Sequence, residues 1–171
     1  MAISEKMQDA LNDQVAAEFY SAYLYLAMSA WLHSADMPGA ANWMFVQYRE
    51  ELSHAEKIFD FVVEREGRAL VKGFDAPPVE WDSPLAVFEA AYEHEKKVTA
   101  MINELVSLAR EEKDYATEFF LQWFVTEQVE EESSVNAIVQ QMKLVQGSKN
   151  GLYMIDRELG KRTPASATSE E

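Results

Sequence analysis

The sequence predicts an all-α fold: a four-helix bundle with one long crossover connection and a short C-terminal fifth helix. Three observations carry that prediction. Strand signals are nearly absent, apolar residues recur every three and four positions through long segments, and Pro and Gly gather in a few places. Helices are expected at about 5–33, 38–66, 84–112 and 115–146, with a shorter one near 149–159.

Each element has its own punctuation. Ser4 is placed to cap helix one, Met37-Pro38-Gly39 reads as the first turn, and Ser83-Pro84 offers a cap followed by Pro at the first helical position. Asp114 is placed to cap helix four. Short turns join helices one and two, and helices three and four, so each pair is expected as an antiparallel hairpin. Residues 67–83, GRALVKGFDAPPVEWDS, hold two adjacent prolines and no helical period, and are expected to run the bundle's length. A helix of ~28 residues spans ~42 Å, which an extended segment of this size covers. Residues 161–171, KRTPASATSEE, read as a solvated, disordered tail.

At 171 residues the chain is expected to be a single domain, 1–171, large enough to bury a core. Lys and Arg number 15 against 30 Asp and Glu, and the resulting net charge of −15 opposes nucleic-acid backbones and anionic membranes while favouring cations. The absence of Cys removes disulfides, thiolate zinc sites, iron–sulfur clusters and thiol nucleophiles. MAISEKMQDALND shows neither a basic nor an apolar leader region, and the most apolar stretch, Ser21 to Leu32, falls short of the ~20 residues that span a bilayer. A cytoplasmic protein is expected.

The inward seams of the four helices, written with alternating steps of three and four, are apolar above and below and polar in the middle. Helix one carries Gln14 and Glu18 between Leu11 and Tyr25, and helix two carries Glu51 between Met44 and Ile58, with His54 one turn on. Helix three carries Glu95 between Ala91 and Val98, and helix four carries Gln128 and Glu131 between Phe124 and Val135. A buried carboxylate costs several kcal/mol or more unless it is paired, protonated or bound to a metal. No basic residue lies on these seams, so a cation from outside is expected, the alternative being carboxyls kept neutral by mutual hydrogen bonds. Oxygen donors plus one imidazole suit iron, manganese or zinc, and a shared carboxylate suits a metal pair.

An internal repeat with an offset of 77 residues maps Glu18 onto Glu95, Glu50 onto Glu127, Glu51 onto Gln128 and His54 onto Glu131. The hairpins therefore face one another across a pseudo-twofold axis. Glu51-x-x-His54 in one half stands against Gln128-x-x-Glu131 in the other, so two metals are expected in unequal environments.

The motifs AEFYSAYLY around Glu18, YREELSHAEKIFD around Glu51 and His54, AAYEHEKKV around Glu95 and FLQWFVTEQVEEE around Glu127 to Glu131 resemble those of the ferritin family, over roughly residues 3–160. The resemblance implies a ferritin-like bundle with one iron held by Glu18, Glu51 and His54 and a second by Glu51, Glu95 and Glu131, with Glu51 bridging. Gln128 would stand beside the second iron. In prokaryotic non-haem ferritins a third iron position lies nearby, and it matches Glu50, Glu127 and Glu130, with Glu131 shared. Tyr25 matches the family's site tyrosine, which hydrogen-bonds a ligand or supplies an electron. The implied activity is ferroxidase: Fe(II) is oxidised by dioxygen or hydrogen peroxide, and ferric mineral is stored in a homo-oligomeric shell of twenty-four subunits.

Departures from neighbouring subfamilies narrow the resemblance. Bacterioferritins have a haem-ligating Met where Leu52 stands and a second Glu-x-x-His where Glu131 stands, so no haem is expected. Rubrerythrins carry a Cys-bound iron, and soluble oxygenases use Glu-x-x-His in both halves. Glu132 reads as solvent-facing, His33 as a partner of the helix dipole, and His94 as a supporting or interface residue rather than a ligand. The Met and aromatic residues at helical spacing read as core, and Phe119, Phe120 and Trp123 as packing or subunit contacts. Two other readings stay open: a di-iron oxidoreductase acting on an organic substrate or peroxide, and a metal-free helical interaction module.

Overall fold

The computed structural model describes residues 2–164; residues 165–171, which fall in the expected tail, lie outside the described residues. The described residues form α1 (Glu5–Ser34), α2 (Pro38–Glu64), α3 (Pro84–Glu111), α4 (Tyr115–Leu144) and α5 (Lys149–Leu159), with no strand. Ser4, Ser83, Asp114 and Ser148 each accept a backbone N–H of the first turn of α1, α3, α4 and α5, satisfying a donor the helix leaves unpaired. Helix α2 starts at Pro38 as expected, because the fixed φ of proline suits a first helical position, and the turn before it comprises Ala35 to Met37, so of Met37-Pro38-Gly39 only Met37 lies in the turn.

Three helix exits share one device. Asp36, Glu66 and Lys113 take left-handed backbone angles, with φ of 57°, 59° and 57°. The next residue in each case donates back across the turn: Met37 to Leu32 O, Gly67 to Val62 O and Asp114 to Ala109 O, at 3.0, 2.9 and 2.8 Å. These are Schellman closures built without glycine at the left-handed position. The closure at Glu66 ends α2 at Glu64, two residues before the expected end.

Helices α1 and α2 form one hairpin and α3 and α4 the other. The crossover runs alongside α1 from its start to its end. Asn12 donates to Arg68 O and accepts from Leu70 N, both at 2.9 Å, Phe74 packs edge-on against Tyr20 and Tyr23, and Trp81 meets Trp31. Two apolar clusters fill the bundle. One gathers Met28, Leu32, Met44, Phe88, Val135 and Met142, the other Met7, Leu11, Ile58, Val62, Leu105 and Leu121. The polar seam residues fall between them.

Helix α5 docks on the start of α2. Asp156 accepts Ala40 N–H at 2.8 Å, and a Cβ added at Gly39 would overlap the Asp156 carbonyl and lie 3.0 Å from Gly160 N. Backbone cannot yield there as a flexible side chain could, so Gly39→Ala is expected to undock α5 and destabilise the chain by roughly 3 kcal/mol, read from chemical denaturation. Residues 161–164 do not all follow the expected solvated tail. Arg162 turns back onto α2, its guanidinium 4.2 Å from the Trp43 ring centroid, because a planar cation stacks on an aromatic face and finds acceptors beside it.

Candidate metal centre

The helical periods bring Glu18 from α1, Glu51 and His54 from α2, Glu95 from α3, and Gln128 and Glu131 from α4 to one level of the bundle, each no more than 5% exposed. Glu51 and His54 share a face because residues three apart are neighbours on a helix. One donor atom each from Glu18, Glu51 and His54 lie within 4.8 Å of one another, and so do donors from His54, Glu127 and Glu131. Glu95 joins neither group, although Glu51, Glu95 and Glu131 were the expected second set. Its oxygens are instead held by the Tyr25 hydroxyl and the Gln128 amide, the latter at 3.1 Å.

Side-chain amides orient the other carboxylates. Gln14 donates to Glu18 at 2.8 Å, and Gln47 donates to both Glu51 and Glu131, at 3.1 and 2.6 Å. His54 Nδ1 lies 3.3 Å from Glu51 Oε2, with the Trp123 and Phe124 rings edge-on to the imidazole. Glu18 Oε2 is buried and has no hydrogen-bond partner among the described residues. An unsatisfied buried acceptor costs about 1–3 kcal/mol, more when charged, and a cation beside it would remove that cost.

Electrostatics points the same way. Burial pushes the Glu18 and Glu51 carboxyls well above the usual range, and the negative charges around them push further: Glu51 on Glu18, and Glu95 and Glu131 on Glu51. Burial also raises Glu95, against the opposing hydrogen bonds from Tyr25 and Gln128. Glu131 is raised to about 8 by burial and by Glu95, and the half-buried Glu127 is raised chiefly by burial. These shifts favour the protonated carboxyls, so cation binding would exchange protons for metal. Burial and the adjacent Glu95 raise the Tyr25 phenol well above its ordinary value, so it remains a proton donor.

The remaining expected residues sit at the rim or outside. Glu50, next to Glu51 in sequence, is half-buried and pairs with Arg162, while Glu130 is exposed. Glu132, expected in solvent, is half-buried and accepts from the Thr99 hydroxyl, because it faces α3 rather than outward. His94 lies beside the centre. Its Nε2 is 2.8 Å from Ser21 Oγ, its ring packs edge-on against Tyr25, and burial, with Lys97 nearby, lowers it to about 4, so it is neutral and buttresses the tyrosine. Phe120 stacks on Phe61 at 3.8 Å between α2 and α4, whereas Phe119 is 83% exposed.

Sequence reasoning missed Gln47 and Arg162. The signal for Gln47 was available. Gln14-x-x-x-Glu18 and Gln47-x-x-x-Glu51 have the same spacing, which puts an amide one turn before a buried carboxylate. The donor set fits the metals its chemistry favours. Hard oxygens with one imidazole suit iron, manganese or zinc, and the amide partners keep the carboxylates aimed as outer partners of metal ligands do.

A profile described as Ferritin-like domain matches residues 8–145. A bacterial non-heme ferritin from Bacteroides fragilis is 43% identical over 160 residues, covering 94% of this chain and 99% of its own. One from Staphylococcus aureus is 36% identical over 161 residues, covering 94% and 97%. Among solved structures, an open-pore ferritin from Archaeoglobus fulgidus superposes with a TM-score of 0.94 at 54% identity, covering 95% of this chain and 100% of that one. An engineered closed form of the ferritin from the same organism gives a TM-score of 0.95 at 53% identity, covering 96% and 100%. No described helix is long and apolar enough to cross a membrane.

Proposed function

The chain belongs to the ferritin family, and from that premise we propose that it stores iron, oxidising Fe(II) at the mid-bundle centre and passing Fe(III) to a mineral inside a homo-oligomeric shell. The observation that carries this reading is the buried Glu18, Glu51 and His54 group, in which one carboxylate oxygen lacks any hydrogen-bond partner among the described residues. One Fe(II) takes Glu18, Glu51 and His54. A second takes the far side of Glu51 with Glu131 and Glu95, once Tyr25 and Gln128 share the Glu95 oxygens with it. The ligand set of the second iron is unequal to that of the first, as the broken repeat implies. Glu50, Glu127 and Glu130 flank a third iron position at the rim, with Glu131 shared.

Iron is substrate here, and the chain's own groups do three things. The carboxylates exchange protons for Fe(II) and favour the harder Fe(III), which helps drive the oxidation. Gln14, Gln47 and Gln128 hold them in place by hydrogen bonds to one oxygen each. Tyr25 keeps a proton on its phenol and a hydrogen bond on Glu95. The electrons balance with either oxidant. Two Fe(II) release two electrons, which with two protons convert dioxygen to hydrogen peroxide or hydrogen peroxide to two waters.

The family's solved relatives support a shell, and we propose twenty-four subunits in the cytoplasm. Stopped-flow absorbance of metal-free protein mixed with rising Fe(II) is the test of the oxidising centre. A fast phase saturating near two Fe(II) per subunit is expected. A rate that grows only as in buffer would sink the ferroxidase reading.

A further inference from the structure

Arg162, three residues beyond the end of α5 at Leu159, reaches back to the rim of the metal centre. Its guanidinium ion-pairs with Glu50 and donates to Gln47 Oε1 at 2.9 Å and to Trp43 O at 3.3 Å. The stem is anchored from both sides. Asn42 donates to Arg162 O at 3.0 Å, and the Asp156 carboxylate holds α5 onto Ala40 N–H.

Two consequences follow from the charge and the hydrogen-bond sense. Because Gln47 Oε1 accepts from Arg162, its Nε2 must face Glu51 and Glu131, so one amide links residue 162 to both carboxylates. Arginine does not deprotonate under ordinary conditions, so this cation leaves only by moving. A divalent ion that shared Glu50 with it would sit a few ångströms from a fixed positive charge, a separation at which like charges repel even when partly screened.

Resting on the ferroxidase reading above, we propose that Arg162 is a tethered counter-cation that competes with a metal ion for Glu50, so that loading the rim position and docking the C-terminal end of α5 exclude one another. Arg162 is a positioning residue in this account. It sets the Gln47 amide and withholds Glu50 until a cation displaces it. The C-terminal end then comes free of α2 as the rim fills.

Equilibrium binding of redox-inert Zn(II) to metal-free, assembled protein tests this, comparing the parent with R162A, E50A and the double variant. R162A is expected to tighten the Glu50-dependent Zn(II) site about tenfold, with no such gain in the E50A background. A merely structural role for Arg162 predicts no tightening. Arg162→Lys, which keeps the charge but loses the planar fork that stacks on Trp43, is expected to tighten Zn(II) binding less than R162A does. Equal or weaker Zn(II) binding by R162A, with parental helicity and shell size, overturns the proposal while leaving the centre intact. If R162A does not assemble, Arg162→Gln, which keeps a donor toward Gln47 without the charge, carries the same expectation and the same refutation. A parent that binds no Zn(II) overturns the metal centre itself and the competition with it.

Discussion

Glu51→Ala is expected to slow the fast phase of Fe(II) oxidation by at least about 100-fold, the upper end of what losing an outer partner of a metal ligand costs. Glu51 is the carboxylate that both irons share in this account, and it lies within 4.8 Å of the Glu18 and His54 donors. His54→Ala should act in the same direction, because His54 belongs to both close donor groups. Neither change should disturb assembly, since both side chains are interior, 2% and 4% exposed. Metal-free Glu51→Ala should also melt no lower than the parent at pH 8, because the substitution removes a buried carboxyl that crowds Glu95 and Glu131. Stopped-flow absorbance and size exclusion read the two halves of this result. Parental oxidation rates in both variants would show the assigned pair to be wrong.

Metal-free protein is expected to lose stability as pH rises from about 4.5 to about 8. The folded Glu131 carboxyl titrates at about 8 against an ordinary value of 4.5, so between those limits the folded chain binds more protons than the unfolded one. Stability therefore falls with pH across that window and is fully present only below it. Glu18, Glu51 and Glu95 are raised as well and push in the same direction. Asp114 is lowered, because hydrogen bonds from Arg65 and Thr117 outweigh its burial, and it acts only below its ordinary 3.8, outside the window. The Glu131 contribution alone is on the order of 5 kcal/mol, at about 1.4 kcal/mol per pKa unit. Urea denaturation at pH 5 and pH 8 measures it, and Glu131→Gln should flatten the slope. Zn(II) at pH 8 should restore the lost stability by replacing protons with metal. Equal stability at the two pH values would mean that the carboxyls are not held protonated in the fold.

The site was legible because its burial conflict is written along each helix. Glu18, Glu51, Glu95 and Glu131 interrupt apolar seams at one level, and no seam holds a base to pair with them. The 77-residue repeat shows that the two halves face each other. What sequence reading missed has local causes. Gln47 lies beside the seam rather than on it, so only its spacing from Glu51 marks it. Arg162 follows the last helical period in a polar segment, where nothing local shows that Trp43 and Glu50 will receive it. The helix exits were hard to place because Asp36, Glu66 and Lys113 take the left-handed angles that glycine usually signals. The motif around Glu95 marks it as a ligand of the second iron, and its hydrogen bonds with Tyr25 and Gln128 depend on χ angles that spacing does not specify.

The most direct test of the storage account adds tens of Fe(II) per subunit to metal-free protein in air, then follows iron and protein together through size exclusion. Ferric iron should elute as soluble mineral with a particle of several hundred kilodaltons. Iron that precipitates while at most a few atoms stay on a small oligomer would contradict storage and favour a di-iron oxidoreductase.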